Sequence, residues 1–199
     1  MSRLPWDIYF LHLANQVALR GTCPRRMVGA VFVGTDNEVL STGYNGAPRG
    51  VQHCKHEQVP VIPCTAVPNH VNMDGATEIA PTQYRTTGTD KNGNCITAVH
   101  AELNAIHNAA RLGIPLRGST AYITVAPCRA CFYALIQCGV QRVVYMETNP
   151  YYDFTTAPEL PPTLSFAVYP LEQVMELASI AQLAMFTANG GYKNTGGGA

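Results

Sequence analysis

Apolar residues recur along this chain with two spacings, which together predict most of its helices and strands. Trp6, Leu13 and Val17 belong to a set at helical spacing, so residues 7–19 are predicted to form an amphipathic helix. Residues 28–33 are apolar and rich in valine, which predicts a buried strand. By the same reasoning the chain contains a hairpin turn at 34–37 with its second strand at 38–42, strands at 120–125, 141–146 and 164–169, and helices at 98–112, 128–138 and 171–188.

The order of these elements predicts an α/β fold, because alternating strands and helices build a central sheet covered by helices on both faces. We expect one domain over residues 1–188. Residues 189–199 are rich in glycine and are expected to form a flexible tail. Residues 43–97 show no regular pattern, and a loop of this length is unusual in a compact domain unless it is functional or tied down.

Composition and charge narrow the classes of partner. Hydrophobic residues make up 47% of the chain and charged residues 13%, which excludes a disordered chain and a coiled coil. The net charge is +0, whereas domains that bind nucleic acid usually carry a basic excess. No stretch approaches the ~18 apolar residues of a membrane span, and Pro5 and Asp7 interrupt the region where a signal peptide would be apolar. We therefore expect a cytoplasmic protein without a nucleic-acid or membrane partner.

The cysteines point to metal or catalytic chemistry rather than to disulfides. There are seven of them, an odd number in a chain without a secretory signal, which argues against a disulfide framework. Cys128 and Cys131 are three residues apart at the start of a predicted helix. Residues at this spacing lie on one helical face and can bind the same metal ion.

A histidine and a carboxylate at the start of the preceding helix complete a candidate zinc site. His100 would be the third ligand beside Cys128 and Cys131, and three protein ligands leave a fourth position for water, as in catalytic zinc sites. Zinc lowers the pKa of such a water from about 15.7 to about 7. Glu102 lies two residues from His100 and can move protons to and from that water without binding the metal.

Each part of this pattern has an ordinary alternative when it is taken alone. A Cys-x-x-Cys pair is equally consistent with a redox pair or with half of a structural zinc site, and a lone histidine or glutamate at a helix start is usually a cap or a solvated residue. The combination is far rarer: His-x-Glu, then the 24 residues 103–126, then Pro127 and Cys-x-x-Cys. This order is the signature of zinc-dependent nucleobase deaminases.

The chain resembles the deoxycytidylate (dCMP) deaminases over residues 4–168. The similarity is carried by four segments, 22–31, 41–50, 100–106 and 126–131, of which the Gly-Tyr-Asn-Gly-Ala-Pro sequence in the second is the most specific. It is weakest over 54–97 and absent from the tail. The resemblance implies a cytidine-deaminase-like three-layer α/β/α sandwich around a five-stranded mixed sheet. It also implies a homohexamer, activated by deoxycytidine triphosphate (dCTP) and inhibited by thymidine triphosphate (dTTP), that converts dCMP to dUMP for thymidylate synthesis.

Two further sets of residues are predicted to bind nucleotides. The first is an effector loop in which glycines allow close backbone approach, an amide offers both a donor and an acceptor, and an arginine offers a fork of donors for phosphate; it comprises Gly43, Tyr44, Asn45, Gly46 and Arg49. An ordinary Gly-rich turn is the alternative. A triphosphate effector would bring Mg²⁺ with it. The second set, Arg26 and Arg111, are candidates for the substrate phosphate, with an exposed solubilising charge as the alternative for each.

A second, structural zinc site is expected from the remaining cysteines. Some deoxycytidylate deaminases carry an extra zinc with ligands at positions similar to Cys23, Cys54 and Cys95. Tetrahedral zinc with four protein ligands stabilises loops that lack a core of their own. Cys64 is the fourth candidate, and His53, His56 or His70 are its alternatives. Scattered buried thiols are the ordinary interpretation of these residues.

Other functions remain open at the level of sequence. A tRNA adenosine deaminase shares the zinc motifs, but the neutral charge and the Gly-Tyr-Asn-Gly sequence weigh against it. A riboflavin-pathway deaminase would bring a reductase-like domain that this chain lacks, and a dCTP-preferring deaminase shares the chemistry with a different substrate. A zinc-containing nucleotide-binding module without activity is the non-enzymatic alternative, and it has no use for Glu102 beside an open zinc position.

Overall fold

A computed structural model describes residues 3–23, 25–54, 56–59, 83–86, 96–157 and 160–188. Its helices are α1 (Trp6–Ala18), α2 (Ala101–Leu112), α3 (Arg129–Gln137) and α4 (Leu171–Ala188), and its strands are β1 (Gly29–Val33), β2 (Val39–Tyr44), β3 (His56–Val59), β4 (Gln83–Thr86), β5 (Thr120–Val125), β6 (Arg142–Glu147) and β7 (Ser165–Val168). None of the helices within these ranges is long and apolar enough to span a membrane.

Five of the strands form one mixed sheet in the order β2-β1-β5-β6-β7. Strand β1 is antiparallel to both of its neighbours, whereas β5, β6 and β7 run parallel to one another. Strands β3 and β4 form a separate antiparallel pair. The parallel connections pass through α3 and through residues 148–164, and the predicted five-stranded mixed sheet is confirmed.

Alternation along the strands divides the core into two layers. Phe32 and Ile123 pack with α2 and α3 on one face, while Val31 and Tyr122 pack with α1 and α4 on the other. Because side chains alternate between the faces of a strand, a continuous apolar run such as 29–33 can serve both layers. All five residues of β1 are buried. The result is the predicted three-layer α/β/α sandwich.

Two glycines bring helices into direct contact with the sheet. A Cβ atom on Gly29 would lie 2.1 Å from the carbonyl oxygen of Ala14 in α1, and one on Gly43 would lie 2.3 Å from the carbonyl oxygen of Ala101 in α2. No side chain fits at either distance. Gly43 therefore sets how closely the start of α2 approaches the sheet.

Strand directions collect four chain segments at one edge of the sheet. Strands β5 and β6 end at this edge, and because β1 runs opposite to β5, the segment before β1 lies there too. Strand β2 ends at the same edge, and Gly46 just beyond it forms a two-hydrogen-bond bridge with Val99, next to the start of α2. In open α/β sheets, ligands bind outside the carboxyl ends of the strands.

The face of the sheet that packs against α1 and α4 carries a carboxylate that connects α1 to β5, to the start of β6 and to the residue after β7. Asp7 accepts two hydrogen bonds from the guanidinium of Arg142, at 2.6 and 2.7 Å, and one each from the hydroxyls of Tyr122 and Tyr169, both at 2.9 Å. Burial alone would raise the pKa of the Asp7 carboxyl, but these hydrogen bonds outweigh it and the pKa lies below its ordinary value.

The structure differs from the predicted elements in two places. The stretch predicted to be irregular, 43–97, contains β3 and β4; their sequences, His-Glu-Gln-Val and Gln-Tyr-Arg-Thr, carry no apolar alternation that would predict a strand. Helix α2 begins at Ala101, three residues later than predicted, because Val99 pairs with Gly46 and His100 is extended. The predicted tail, 189–199, lies outside the described residues.

Candidate metal centre and active site

Three side chains at two helix N-termini converge at this edge. His100 is the N-cap of α2, Cys128 is the N-cap of α3, and Cys131 lies in the first turn of α3. The Nδ1 atom of His100 lies 3.4 Å from the sulfur of each cysteine. The structure therefore brings together the three predicted zinc ligands.

These distances fit one tetrahedral zinc ion. With Zn–S bonds of about 2.3 Å and Zn–N bonds of about 2.0 Å, tetrahedral angles place nitrogen and sulfur ~3.5 Å apart. The ligand atoms of His100, Cys128 and Cys131 all lie within 4.8 Å of one another, and in the described part of the chain this is the one such group of three or more His, Cys, Asp or Glu residues. One histidine and two thiols form a zinc-type ligand set.

The protonation of the sulfurs favours metal binding. A hydrogen bond between the two thiol groups lowers the pKa of Cys128 to about 4, assisted by His100, and the same contact raises the pKa of Cys131 above its usual range. One sulfur is thus a thiolate at neutral pH, which is the form that binds a metal. The N-terminus of α3 also favours negative charge at this position.

Glu102 lies beside this group, in the first turn of α2, without belonging to it. Its residue is 4% exposed. Burial raises the pKa of the Glu102 carboxyl, although Glu102's own backbone and the nearby His100 partly offset this. A buried carboxyl with a raised pKa, next to a metal position, is suited to accept and return protons.

These residues open into a cavity of ≈ 440 Å³, a size typical of small-molecule sites. We call it the zinc cavity. Its lining includes His100, Glu102 and Cys128 of the metal centre, with Arg25, Arg26, Val28 and Asn45 from the β1–β2 side and Asn149, Pro150 and Tyr151 from the end of β6.

Asn45 holds one wall of this cavity in place. Its side-chain oxygen accepts a hydrogen bond from the backbone nitrogen of Val28 at 2.8 Å, and its side-chain nitrogen donates to the carbonyl oxygen of Arg26 at 2.7 Å. Arg26 in turn forms an ion pair with Glu147, the last residue of β6. Of the two candidate phosphate ligands, Arg26 and Arg111, it is Arg26 that lines the zinc cavity.

A second, larger cavity of ≈ 1230 Å³ is lined in part by residues of α2. We call it the basic cavity, because Arg20, Arg49 and Arg111 line it together with His53 and His107, and none of its described lining residues is acidic. Tyr44 and Gly43 of the predicted effector loop also line it.

The structure places Arg111 in the basic cavity and not among the residues that line the zinc cavity. The separation follows from helix geometry. Arg111 is eleven residues after His100, which corresponds to ~16 Å along a helix axis. The sequence grouped Arg111 with Arg26 as candidates for one phosphate, and the structure separates them.

The predicted effector loop divides between two tasks. Tyr44 and Arg49 line the basic cavity, whereas Asn45 braces the zinc cavity. Gly46 packs closely, since a Cβ atom there would lie 2.1 Å from the hydroxyl of Thr22. The close backbone approach that Gly43 and Gly46 allow is therefore used for packing against other parts of this protein.

The predicted second zinc site lies only partly within the described residues. Cys23 and Cys54 are both partly exposed, and Cys23 lines the zinc cavity. Cys64, Cys95 and His70 lie outside the described residues. His53 lines the basic cavity and His56 begins β3. The second zinc stays a prediction.

Sequence reasoning missed the wall formed by residues 149–151. The Asn149 side chain donates to the carbonyl oxygen of Ala126 at 3.3 Å and accepts from the backbone nitrogen of Tyr151 at 2.9 Å, and Tyr151 is 91% exposed. Their position directly after a parallel strand was the available signal, because such loops border ligand sites.

Comparison with known proteins gives consistent matches. The deoxycytidylate deaminase of Mycobacterium phage D29 is 40% identical over 146 residues, covering 73% of this chain and 97% of that protein. ComE operon protein 2 of Bacillus subtilis (strain 168) is 33% identical over 154 residues, covering 76% of this chain and 66% of that protein. The deoxycytidylate deaminase of Pongo abelii is 30% identical over 151 residues, covering 75% and 68%.

Solved structures confirm the fold class. The crystal structure of dCMP deaminase from the cyanophage S-TIM5, in complex with dCMP and dUMP, matches with a TM-score of 0.58 at 20% identity, covering 85% of this chain and 100% of that one. At this identity the likeness concerns the fold. The family model of the cytidine and deoxycytidylate deaminase zinc-binding region matches residues 4–147. The chain therefore belongs to the cytidine and deoxycytidylate deaminase family defined by this zinc-binding region.

Proposed function

We propose that this protein is a zinc-dependent deaminase that hydrolyses dCMP to dUMP and ammonia. The observation that carries the proposal is the convergence of His100, Cys128 and Cys131 beside the buried carboxyl of Glu102. Family membership supports the chemistry, and the names of the phage and animal relatives support the substrate.

Glu102 is the proton carrier in this proposal. When bound, zinc supplies a nucleophilic water at neutral pH by lowering the pKa of water to about 7. Glu102 accepts a proton from the water as its oxygen bonds to C4 of cytosine, and gives that proton to ring N3. It then takes the remaining proton from the new hydroxyl on C4 and passes it to the exocyclic nitrogen, so that the C4–N bond breaks, a C4=O bond forms and ammonia leaves. The raised pKa of Glu102 suits a group that must both take and return protons.

Arg26 is the proposed ligand of the substrate phosphate. It lines the zinc cavity, and its backbone is fixed by Asn45. A guanidinium carries five N–H donors, so it can hold Glu147 and still offer donors to a phosphate. Arg25 lines the same rim.

We further propose that the basic cavity binds a triphosphate effector, with dCTP as activator and dTTP as inhibitor. Three arginines suit a polyanion, which would bring Mg²⁺, and no acidic residue in the described part of the chain lines this cavity. A homohexamer is proposed from the family resemblance, and the product dUMP would supply thymidylate synthesis.

A substrate panel tests the proposed activity. Purified zinc-loaded protein is incubated with dCMP, CMP, dCTP, deoxycytidine or tRNA, and turnover is followed by ultraviolet absorbance and ammonia release. We expect dCMP to have the highest kcat/KM. Preference for dCTP or for adenosine in tRNA would replace the proposed substrate, and release of no ammonia from any of them would favour a non-catalytic nucleotide-binding module.

Metal analysis tests the second zinc. We propose Cys23, Cys54 and Cys95 as its ligands, with Cys64 or a nearby histidine as the fourth. Two zinc ions per chain, falling to one in Cys54→Ser while Glu102-dependent turnover is kept, is the expected result. One zinc per chain in a fully active protein would remove the second site.

A further inference from the structure

The ion pair between Arg26 and Glu147 connects a lining residue of the zinc cavity to the end of β6. Arg26 precedes β1 and lines the cavity, while Glu147 ends β6, two residues before the lining residue Asn149. Their side chains are 43% and 47% exposed. An exposed pair of this kind contributes little to stability, so its effect on incoming ligands can be examined without unfolding the protein.

Both partners are anchored through their backbones. The carbonyl oxygen of Arg26 accepts a hydrogen bond from the Asn45 side chain at 2.7 Å. The carbonyl oxygen of Glu147 accepts from the backbone nitrogen of Ala126, also at 2.7 Å, two residues before Cys128. The carboxylate of Glu147 is therefore mounted on the same segments that build the metal centre.

The charged residues of the zinc cavity are unlike those of the basic cavity. Arg25, Arg26 and the carboxyl of Glu102 line the zinc cavity, and Glu147 forms an ion pair with Arg26. A first phosphate on Arg26 replaces water around a guanidinium. A second phosphate of the same ligand must also lie near this guanidinium. It is therefore close to the Glu147 carboxylate, and the two negative charges repel each other.

We propose that Glu147 is a specificity-determining residue, which makes the zinc cavity favour a nucleoside monophosphate over the corresponding di- or triphosphate. The inference rests on the proposed function and deepens it, since it explains how one protein can accept monophosphate in one cavity and triphosphate in the other. Glu147 acts through its charge and through Arg26, and it takes no part in the chemistry at C4.

The test measures binding of dUMP, dUDP and deoxyuridine to zinc-loaded protein by calorimetry, with dUDP titrated as a competitor of dUMP so that only the dUMP site is read. Glu147→Gln should lower the ratio Kd(dUDP)/Kd(dUMP) by about three- to fivefold, the effect of one exposed charge, and leave deoxyuridine unchanged. Glu147→Asp keeps the charge and should keep the wild-type ratio. High salt should reduce the wild-type ratio more than that of Glu147→Gln.

An unchanged ratio in Glu147→Gln would overturn the inference, as would equal shifts for all three ligands, which indicate a structural role. Turnover of dCMP by the wild-type protein is measured separately. Active protein with an unchanged ratio would remove the role of Glu147 alone, whereas failure to bind dUMP and to deaminate dCMP would remove the proposed function as well.

Discussion

The zinc cavity and the basic cavity share helix α2 as a wall but differ in the metal ligands and the carboxyl group that line only the first. The start of the helix gives His100 and Glu102 to the zinc cavity, whereas Asn104, His107, Asn108 and Arg111 line the basic cavity. These four are spaced i, i+3, i+4 and i+7, so they form one stripe along the helix. One cavity holds a metal site and a buried carboxyl; the other offers exposed cations.

The comparison shows how a single helix can line two separate cavities. Asn104 donates to the carbonyl oxygen of Tyr44 at 2.8 Å, and Asn108 donates to that of Thr42 at 3.0 Å, so α2 is bonded to the edge strand β2. Beyond β2, Gly46 is bonded to Val99, directly before His100. The two cavities thus differ in the charged residues that line them, and hydrogen bonds to the backbone connect the segments that form them.

The largest effect is expected from Glu102→Gln, which removes the proton carrier and leaves the ligands. Deamination should fall by about 10²–10⁴-fold, while zinc content and effector binding stay at wild-type values. Turnover of dCMP and zinc per chain are measured on the same preparation. Cys128→Ser is the matched comparison, because it should lose zinc and activity together. Substantial turnover in Glu102→Gln would remove the assigned role.

Arg111→Glu separates the two cavities. It places a negative charge in the basic cavity, so the half-saturating concentration of dCTP should rise by tenfold or more, which corresponds to losing about 1.4 kcal/mol of binding. KM for dCMP without effector should change less than twofold. Arg117→Glu, at an exposed arginine that lines neither cavity, is the control. A raised KM with intact regulation would return Arg111 to the substrate phosphate.

Arg26→Gln is the reciprocal variant in the zinc cavity. Loss of the guanidinium should raise KM for dCMP by about tenfold, the effect of one charge-assisted hydrogen bond, and leave deoxycytidine, which has no phosphate, within twofold. The response to dCTP should be kept. Arg26→Lys retains the charge and should recover part of the loss. Equal effects on dCMP and deoxycytidine would indicate that Arg26 only supports the cavity wall.

The sequence predicted the metal centre because its chemistry is local. His100 and Glu102 are two residues apart, Cys128 and Cys131 three, and each pair begins a helix, so spacing alone restricts the geometry. Individual strands were predictable for a similar reason, since a buried strand such as 29–33 is a continuous apolar run.

The parts that escaped prediction depend on contacts between distant segments. Nothing local distinguishes Asn45, whose amide braces Arg26, from a residue that binds a ligand, and Gly43 is needed because Ala101 lies against it. The polar stripe on α2 has helical spacing and was visible in the sequence, but only the fold shows that it faces a cavity. Strands β3 and β4 are polar, and 23 residues separate them in the sequence, so no local pattern predicts their pairing.

Asp7→Asn is a control variant for both cavities, because Asp7 lies on the face of the sheet opposite to α2. The carboxylate receives hydrogen bonds from Arg142, Tyr122 and Tyr169, and its side chain is 16% exposed. Its replacement should lower the free energy of unfolding at pH 7 by about 2 kcal/mol. Below the unfolding temperature, kcat/KM for dCMP and the response to dCTP should each stay within twofold of wild type.

The pH dependence of this loss of stability shows whether the charge of the Asp7 carboxylate causes it. The pKa of Asp7 is lowered in the folded protein, so the unfolded state binds the proton more tightly, and the carboxylate stabilises the fold above the unfolded pKa of about 3.9. The difference in urea stability between wild type and Asp7→Asn should therefore be constant from pH 7 to about pH 5 and shrink as the pH falls below about 4. Zinc release in acid acts on both proteins alike and cancels in the difference. A difference that widens in acid would show that Asp7 is not stabilised as a carboxylate, and a parallel loss of activity at pH 7 would show that the two faces of the sheet are not independent.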